Sequence, residues 1–334
     1  MMTNTSACTK MMSKNERGHQ IYSSNHSTPK TASGILVVDK PEGLTSFAMV
    51  ARVKKSLGLK KAGHCGTLDP FATGVLVICI NQATRIADQL SMQDKHYRFS
   101  VRFGVETDTL DRTGQIVRTY DAPAVCESDL LNAAASFVGA YRQQVPRYAA
   151  VKVQGKRLYE LARKGVEVER PSRDVIIHNL KLLGYDWPEA VMEVHCSKGA
   201  YIRQLTSDLG RELGCGAHVK ELRRIASGSF DISRAMTDKE LRQVSKNDGW
   251  REKLVSMNEA LDHLAAIIIE DRQVLQGLNN GHLDPAWAKQ KREQLSEQNA
   301  PVRLLAGIDR QLVALWWPAC RDDTEKRRCL RVFK

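Results

Sequence analysis

Gly63-His64-Cys65-Gly66-Thr67-Leu68-Asp69-Pro70-Phe71-Ala72-Thr73-Gly74 sets a single carboxylate inside a turn-rich loop. Pro70 disfavours helix at Asp69 and pushes that residue towards extended backbone. Gly63, Gly66 and Gly74 permit sharp turns and close approach of a ligand. The apolar run Val75–Ile80 follows at once and reads as a buried strand. An acid on a rigid loop beside a core strand can be a catalytic group. An isolated Asp-Pro pair reads as readily as a structural turn, so the decision falls to the surrounding chain.

Working outward, Gly34–Asp39 predicts a strand, and Thr45 or Ser46 caps a helix with Phe47, Val50, Val53 and Leu57 along one side. Tyr97–Phe103 alternates strictly, with Tyr97, Phe99, Val101 and Phe103 on one face of a half-buried antiparallel strand. Asp111–Gly114 reads as a turn into a short strand, Gln115–Arg118. Helices are expected over Ser128–Val138, Leu158–Lys164 and Tyr201–Leu213, the second stopping at Gly165. Val175–Gly184 and Val191–Cys196 read as strands. Strands outnumber helices and hairpin-like pairs recur, so the expected class is α+β around a mixed, largely antiparallel sheet.

The chain has 334 residues, 42% hydrophobic and 26% charged, which fits a globular protein. Its net charge of +12 favours an anionic partner such as nucleic acid. Between Arg142 and Lys164 seven basic residues stand against Glu160 alone, a surplus of +6 and half the net charge. Tyr141, Tyr148 and Tyr159 are interleaved there, a mixture suited to phosphate contact and base stacking. None of the eight cysteines forms a C-x-x-C pair, which leaves a zinc site without support; those in apolar runs read as small core residues. Residues 1–33 are polar, lack the apolar stretch of a secretory signal and read as a disordered tail. No apolar run is long enough to span a bilayer, and the cysteine usage fits a reducing cytoplasm.

GHCGTLDPFATGVL resembles the catalytic-loop motif of the TruB family of tRNA pseudouridine synthases. Lys40–Ser46 (KPEGLTS) and Ser197–Arg203 (SKGAYIR), continuing to Gly210, are similar to two further motifs of that family, in the same order. Asp94–Arg98 and Gly104–Thr109 lie between them and match as well, so the resemblance runs from about Gly34 to about Met236. It implies the pseudouridine synthase fold and an isomerase of the stand-alone bacterial type that converts uridine 55 in the T-loop of tRNA. The target base must be flipped out to be reached. The implied reaction gains and loses no atom, so it needs no cofactor and no metal.

The resemblance also assigns roles. Asp69 is the essential catalytic aspartate, a nucleophile or the electrostatic partner of a sugar cation, Arg203 the partner that keeps it charged, and Tyr97 the aromatic that stacks on the uracil and serves or orients the C5 base. Tyr201 and Leu222 line the uracil pocket, His64 enters the RNA loop, and Lys40 buttresses the site or meets a phosphate. By pattern alone Tyr97, Tyr201 and Leu222 would pass as core residues, and Arg203 as a surface arginine of a helix. Cys65 and Ala200 stand where the family commonly has a hydroxyl residue.

The composition shifts near Asp238–Asp248, so the expected catalytic domain spans 34–250, with a small β-rich, PUA-like RNA-binding domain over 260–334. Its expected strands are Ala266–Ile269, Arg272–Gly277, Val302–Gly307 and Leu312–Trp316, with Pro285–Gln298 as an insertion. The expected partner is the tRNA T-arm, bound by a monomer with no obligate protein partner and no membrane. Two other readings stay open: a guide-RNA-dependent synthase of the same superfamily, and an RNA-binding protein that helps tRNA fold.

Overall fold

The computed structural model describes residues 32–153, 155–244, 249–295, 300–320 and 329–333. Of the tail expected over 1–33, only Ala32 and Ser33 are among them. Ala32 accepts from Asn81 Nδ2 (2.7 Å) and Ser33 Oγ from the Gln82 N–H (3.2 Å).

The first part of the chain builds one nine-stranded sheet. β1 (Gly34–Lys40) is followed by α1 (Ser46–Ser56), β2 (Ala62–His64), β3 (Thr73–Ile80), α2 (Ala87–Ser91) and β4 (Lys95–Phe103). A two-stranded ribbon, β5 (Val105–Thr107) and β6 (Ile116–Thr119), leads to α3 (Glu127–Ser136) and β7 (Gly139–Gln144). A small hairpin, β8 (Lys152–Val153) and β9 (Lys156–Arg157), precedes α4 (Leu158–Arg163). Then come β10 (Ser172–Asp186), β11 (Glu189–Cys196), α5 (Ile202–Glu212), β12 (Ala217–Ser227) and β13 (Phe230–Asp231). The sheet order is β1-β3-β12-β4-β11-β10-β7, with β2 added on β3 and β13 on β12. Only β3 and β12 run parallel, so the expected mixed, largely antiparallel α+β sheet is found.

β1 and β3 are buried on both faces, which explains their continuous apolar runs. Ile35, Val37, Val75 and Val77 face one core; Leu36, Val38, Leu76 and Ile78 face another. α1 covers the second core with Met49, Val50 and Val53. Thr45 caps it, accepting from the Ala48 N–H at 3.0 Å. Phe47, expected on the buried stripe, is 78% exposed; Met49, next to Val50, takes the inward position instead.

The expected boundary segment near Asp238–Asp248 is not a linker as far as it is described: Asp238–Val244 is helix α6, and Leu241 and Trp250 are buried in the α1 core. Val255 then exchanges two backbone hydrogen bonds with Ile35 (2.8 and 2.9 Å), followed by α7 (Met257–Ala260). A four-stranded sheet ends the chain: β14 (Ala266–Ile269), β15 (Val302–Ala306), β16 (Gln311–Trp316) and β17 (Leu330–Val332), in that order. One expectation fails inside it. Arg272–Gly277 belongs to helix α8 (Arg272–Asn279), capped by Asp271, which accepts from the N–H groups of Gln273 and Val274. The supposed insertion contains helix α9 (Pro285–Gln294), whose Trp287 and Ala288 pack on Trp316 and its neighbours. Leu305, Leu312, Leu315 and Phe333 reach the core of β1 and β3, so the final sheet packs directly on the first. Cys65, Cys79, Cys196 and Cys215 are buried free thiols, whereas Cys320 and Cys329 form a disulfide rather than filling a core.

Candidate active site

Strand register brings the separated motifs together. Lys40 pairs with Gly74 across β1 and β3, and Gly74 pairs with Arg224 across β3 and β12. Arg224 in turn pairs with Tyr97 across β12 and β4. Cys196 on β11 pairs with Lys95, so the SKGAYIR block emerges beside the same strand ends. Gly74 cannot be replaced: its φ is +102°, and a Cβ there would lie 2.2 Å from the Arg224 carbonyl oxygen.

The KPEGLTS segment holds the Asp69 loop from below. Ser46 Oγ accepts from the Leu68 N–H (2.8 Å) and donates to the Leu68 carbonyl (3.1 Å). Lys40 Nζ donates to the carbonyls of Leu44 (2.7 Å), Pro41 (2.9 Å) and Pro70 (3.2 Å). Lys40 is fully buried, so it anchors the loop and does not face the cavity where a phosphate could reach it. Burial pushes its ammonium down to about 8, against the pull of Asp69 and Glu42.

Asp69 opens onto a cavity of about 380 Å³. Its Oδ2 lies 2.9 Å from Arg203 Nε, with side-chain exposure of 34% for Asp69 and 4% for Arg203. This is an ion pair whose N–H is not aligned as a hydrogen bond. The other guanidinium nitrogens are committed: Nη1 donates to the Thr109 carbonyl (2.8 Å) and Nη2 to the Tyr148 carbonyl (3.0 Å). Nη1 also lies 3.5 Å from Asp111 Oδ2. Asp111 belongs to the turn found at the expected place and accepts from the Thr109 and Thr113 hydroxyls and the Thr113 N–H. Arg203 therefore sits between two carboxylates and cannot swing away without leaving charge unpaired in a buried site.

Tyr97, Tyr201 and Leu222 line the same cavity with Asp69 and Arg203. Burial raises the Tyr97 phenol, opposed by Arg224, so it is a neutral phenol at pH 7. Tyr201 caps α5 and is gripped by Gln143, whose amide accepts from the Tyr201 N–H (2.7 Å) and donates to its carbonyl (2.9 Å). His64 does not line the cavity. It is half-buried at the end of β2, and burial and then Arg224 lower its pKa.

The lining residues to which the sequence assigns no role include Arg224, Lys95, Arg173 and Ser197. Arg224 is 1% exposed, donating to the carbonyls of Val75 (2.7 Å) and Gly66 (3.1 Å). Its signal was an arginine two residues after Leu222 in an alternating strand, at an inward position. Lys95 is buried and donates to the carbonyls of Ser91 (2.7 Å) and Gln93. Arg173 lies 5.9 Å from the Tyr201 ring at the rim.

The basic segment 142–164 forms a wall near this rim. Arg142, Arg147, Lys152, Lys156 and Arg157 are exposed. Its tyrosines divide: Tyr141 hydrogen-bonds Asp208 and Tyr148 bonds Asp108, whereas Tyr159 stays in the surface layer beside Arg157 and Arg163. All three rings are partly exposed, so charge and aromatic rings share this surface.

The family model for the N-terminal domain of TruB family pseudouridylate synthases matches residues 54–202, and that for the tRNA pseudouridylate synthase B C-terminal domain matches 203–268. The chain is 55% identical over 305 residues to tRNA pseudouridine synthase B of Syntrophobacter fumaroxidans, covering 91% of this chain and 99% of that one. The chain belongs to the TruB family. A second TruB relative, tRNA pseudouridine synthase B of Geobacter sulfurreducens, is 38% identical over 309 residues, 90% of this chain and 99% of its own. Among solved structures, the chain is similar to one of a Cbf5-Nop10-Gar1 complex, with a TM-score of 0.66, 27% identity and coverage of 90% of this chain and 84% of that one. The fold is therefore the pseudouridine synthase fold. Within this TruB family member the seam between the two family models falls between Ile202 and Arg203, in the cavity wall.

Proposed function

We propose that this chain is a stand-alone tRNA pseudouridine synthase that isomerises uridine 55 in the T-loop. The observation that carries this reading is the Asp69–Arg203 ion pair, with Tyr97 beside it, at a cavity of about 380 Å³ rimmed by basic side chains. Isomerisation breaks the N1–C1′ glycosidic bond, turns the uracil and joins C5 to C1′; C5 gives up its proton and the freed N1 takes one up, so the composition is unchanged. Asp69, aimed by its ion pair with Arg203, acts on the nucleotide as the bond breaks. Tyr97, Tyr201 and Leu222 hold the detached base, and the neutral phenol of Tyr97 stacks on it and orients the group that takes the C5 proton. The uridine enters flipped out of its stack. The exposed cations of 142–164 hold the tRNA backbone, with His64 entering the RNA loop beside the flipped base.

Residues 34–250 form the catalytic unit in this reading and 260–334 a PUA-like RNA-binding unit. The enzyme acts as a monomer in the cytoplasm; no helix among the described residues is long and apolar enough to cross a membrane. The 55% and 38% identical relatives named tRNA pseudouridine synthase B support this reading over a guide-dependent one. The test is incubation of the pure chain with an unmodified tRNA transcript, without guide RNA, followed by chemical mapping of pseudouridine. A single product at uridine 55 is expected. No product, or product only with a guide RNA, overturns the proposal.

A further inference from the structure

A histidine cluster that the catalytic reading does not use stands on the other face of the sheet. Alternation along β4 sends Lys95 and Tyr97 inward, so His96 faces away from the cavity. His96 pairs with His195 of β11, and their ring centroids are 3.9 Å apart. β10, the next strand, contributes His178, with its ring 4.5 Å from that of His195. His178 is the extra residue of a β-bulge, because Ile177 pairs with Cys196 while Asn179 pairs with His195. Bulges re-aim side chains, and this one brings His178 up against its neighbour's imidazole.

Asp94, the residue before β4, completes the group. His178 Nε2 lies 3.1 Å and His195 Nε2 3.5 Å from the same oxygen, Asp94 Oδ2. The three donor atoms all lie within 4.8 Å of one another, the only such group of His, Cys, Asp or Glu among the described residues. Zinc bonds of ~2.0–2.1 Å in a tetrahedron set ligand atoms roughly 3.3 Å apart. The two nitrogen–oxygen separations match that edge. The side chains are each about a third or more exposed, so an ion can enter from solvent.

We propose that Asp94, His178 and His195 form a divalent transition-metal site, best suited to zinc, with a fourth position for water. Two imidazoles and one carboxylate suit zinc. The site joins three consecutive strands, β4, β11 and β10. The Asp94 carbonyl also accepts from the Gly228 N–H (2.9 Å), which ties in the turn after β12. A bound ion therefore clamps the sheet behind the cavity and does not enter the chemistry. No sequence pattern marks this group, because the ligands are widely separated and the bulge that turns His178 has no local signature.

The test uses the full, untagged chain, stripped with a chelator and titrated with zinc and with cobalt(II). Expected are one equivalent bound, the visible absorption of four-coordinate cobalt, and a rise in Tm with zinc. His178→Ala and Asp94→Ser should each lose all three signals while keeping the wild-type circular dichroism. His282→Ala, an exposed histidine outside the cluster, should keep them. Cys126→Ser should keep them too, since Cys126 is an exposed free thiol able to bind metal. Absence of stoichiometric binding in wild type, or its survival in either folded cluster variant, overturns the site.

Discussion

The cavity region and the C-terminal sheet treat charge in opposite ways. Among the described residues every buried polar or charged side chain, including Lys40, Lys95, Asp111, Arg203 and Arg224, falls between positions 40 and 227. From α7 onward the buried side chains are apolar: Leu304, Leu305, Ala314, Leu315 and Trp316 among them. Burying an ion is costly unless partners surround it. The first region bears that cost around Asp69, Arg203 and Tyr97. The second has no wholly buried polar side chain among its described residues, and its core of Leu, Ala and Trp side chains is stabilised by apolar packing.

The sharpest way to break this contrast is to remove the charge that holds the cavity together. Arg203→Gln leaves Asp69 and Asp111 without their guanidinium, and Asp111 is almost wholly buried. We expect loss of isomerisation together with destabilisation of about 3–5 kcal/mol in urea unfolding. Wild-type turnover by this variant would remove Arg203 from the mechanism. The counterpart in the other region is Leu315→Ala, in a fully buried position shared by both sheets. It should cost about 2–5 kcal/mol yet leave kcat/KM per folded molecule unchanged. A selective loss of kcat would mean that the C-terminal sheet shapes the active site.

A smaller effect separates the rim from the cavity. Replacing Arg147, Lys152 and Lys156 together by Ser should weaken tRNA binding and flatten its log–log salt dependence by roughly two units, with kcat at saturation kept. An unchanged salt slope would take this segment out of the RNA footprint. The smallest expected effect is a pH trend. Burial lowers the ammonium groups of Lys40 and Lys95 to about 8, below the ordinary lysine value. Between about pH 8 and pH 10 the folded chain has shed protons that the unfolded chain retains, so stability should rise with pH across that window. Below pH 8 both states hold the protons and this contribution is flat. Lys95→Met should reduce the slope measured by urea unfolding between pH 7.5 and 9.5; an identical slope would mean that Lys95 is charged throughout.

The same contrast governs what could be read from the sequence. Around the cavity, short blocks rich in Gly, Pro and Asp mark the loops and strict alternation marks β4, but the pattern alone leaves Asp69 as a turn residue, Tyr97 as core and Arg203 as a surface arginine; only the resemblance to the TruB motifs singles them out. Arg224 was missed because its importance comes from its inward position on β12, visible only once Gly74 and Tyr97 flank it. Asp111 was seen as a turn, and its second role beside Arg203 arises from a contact across 92 positions. In the C-terminal region the apolar pair Val274 and Leu275 reads as strand but lies in α8. Asp271 was the capping signal for α8, and it lost to a short apolar run. His178 depends on a bulge, which one sequence does not mark.

The central claim is that Asp69, held by Arg203, acts on the flipped uridine. The most direct measurement is tritium release from C5-labelled uridine in an unmodified tRNA transcript, comparing wild type with Asp69→Asn. Release by wild type alone, with tRNA affinity of the variant within about a few-fold of wild type, is the predicted result. Release by Asp69→Asn at the wild-type rate would contradict the account.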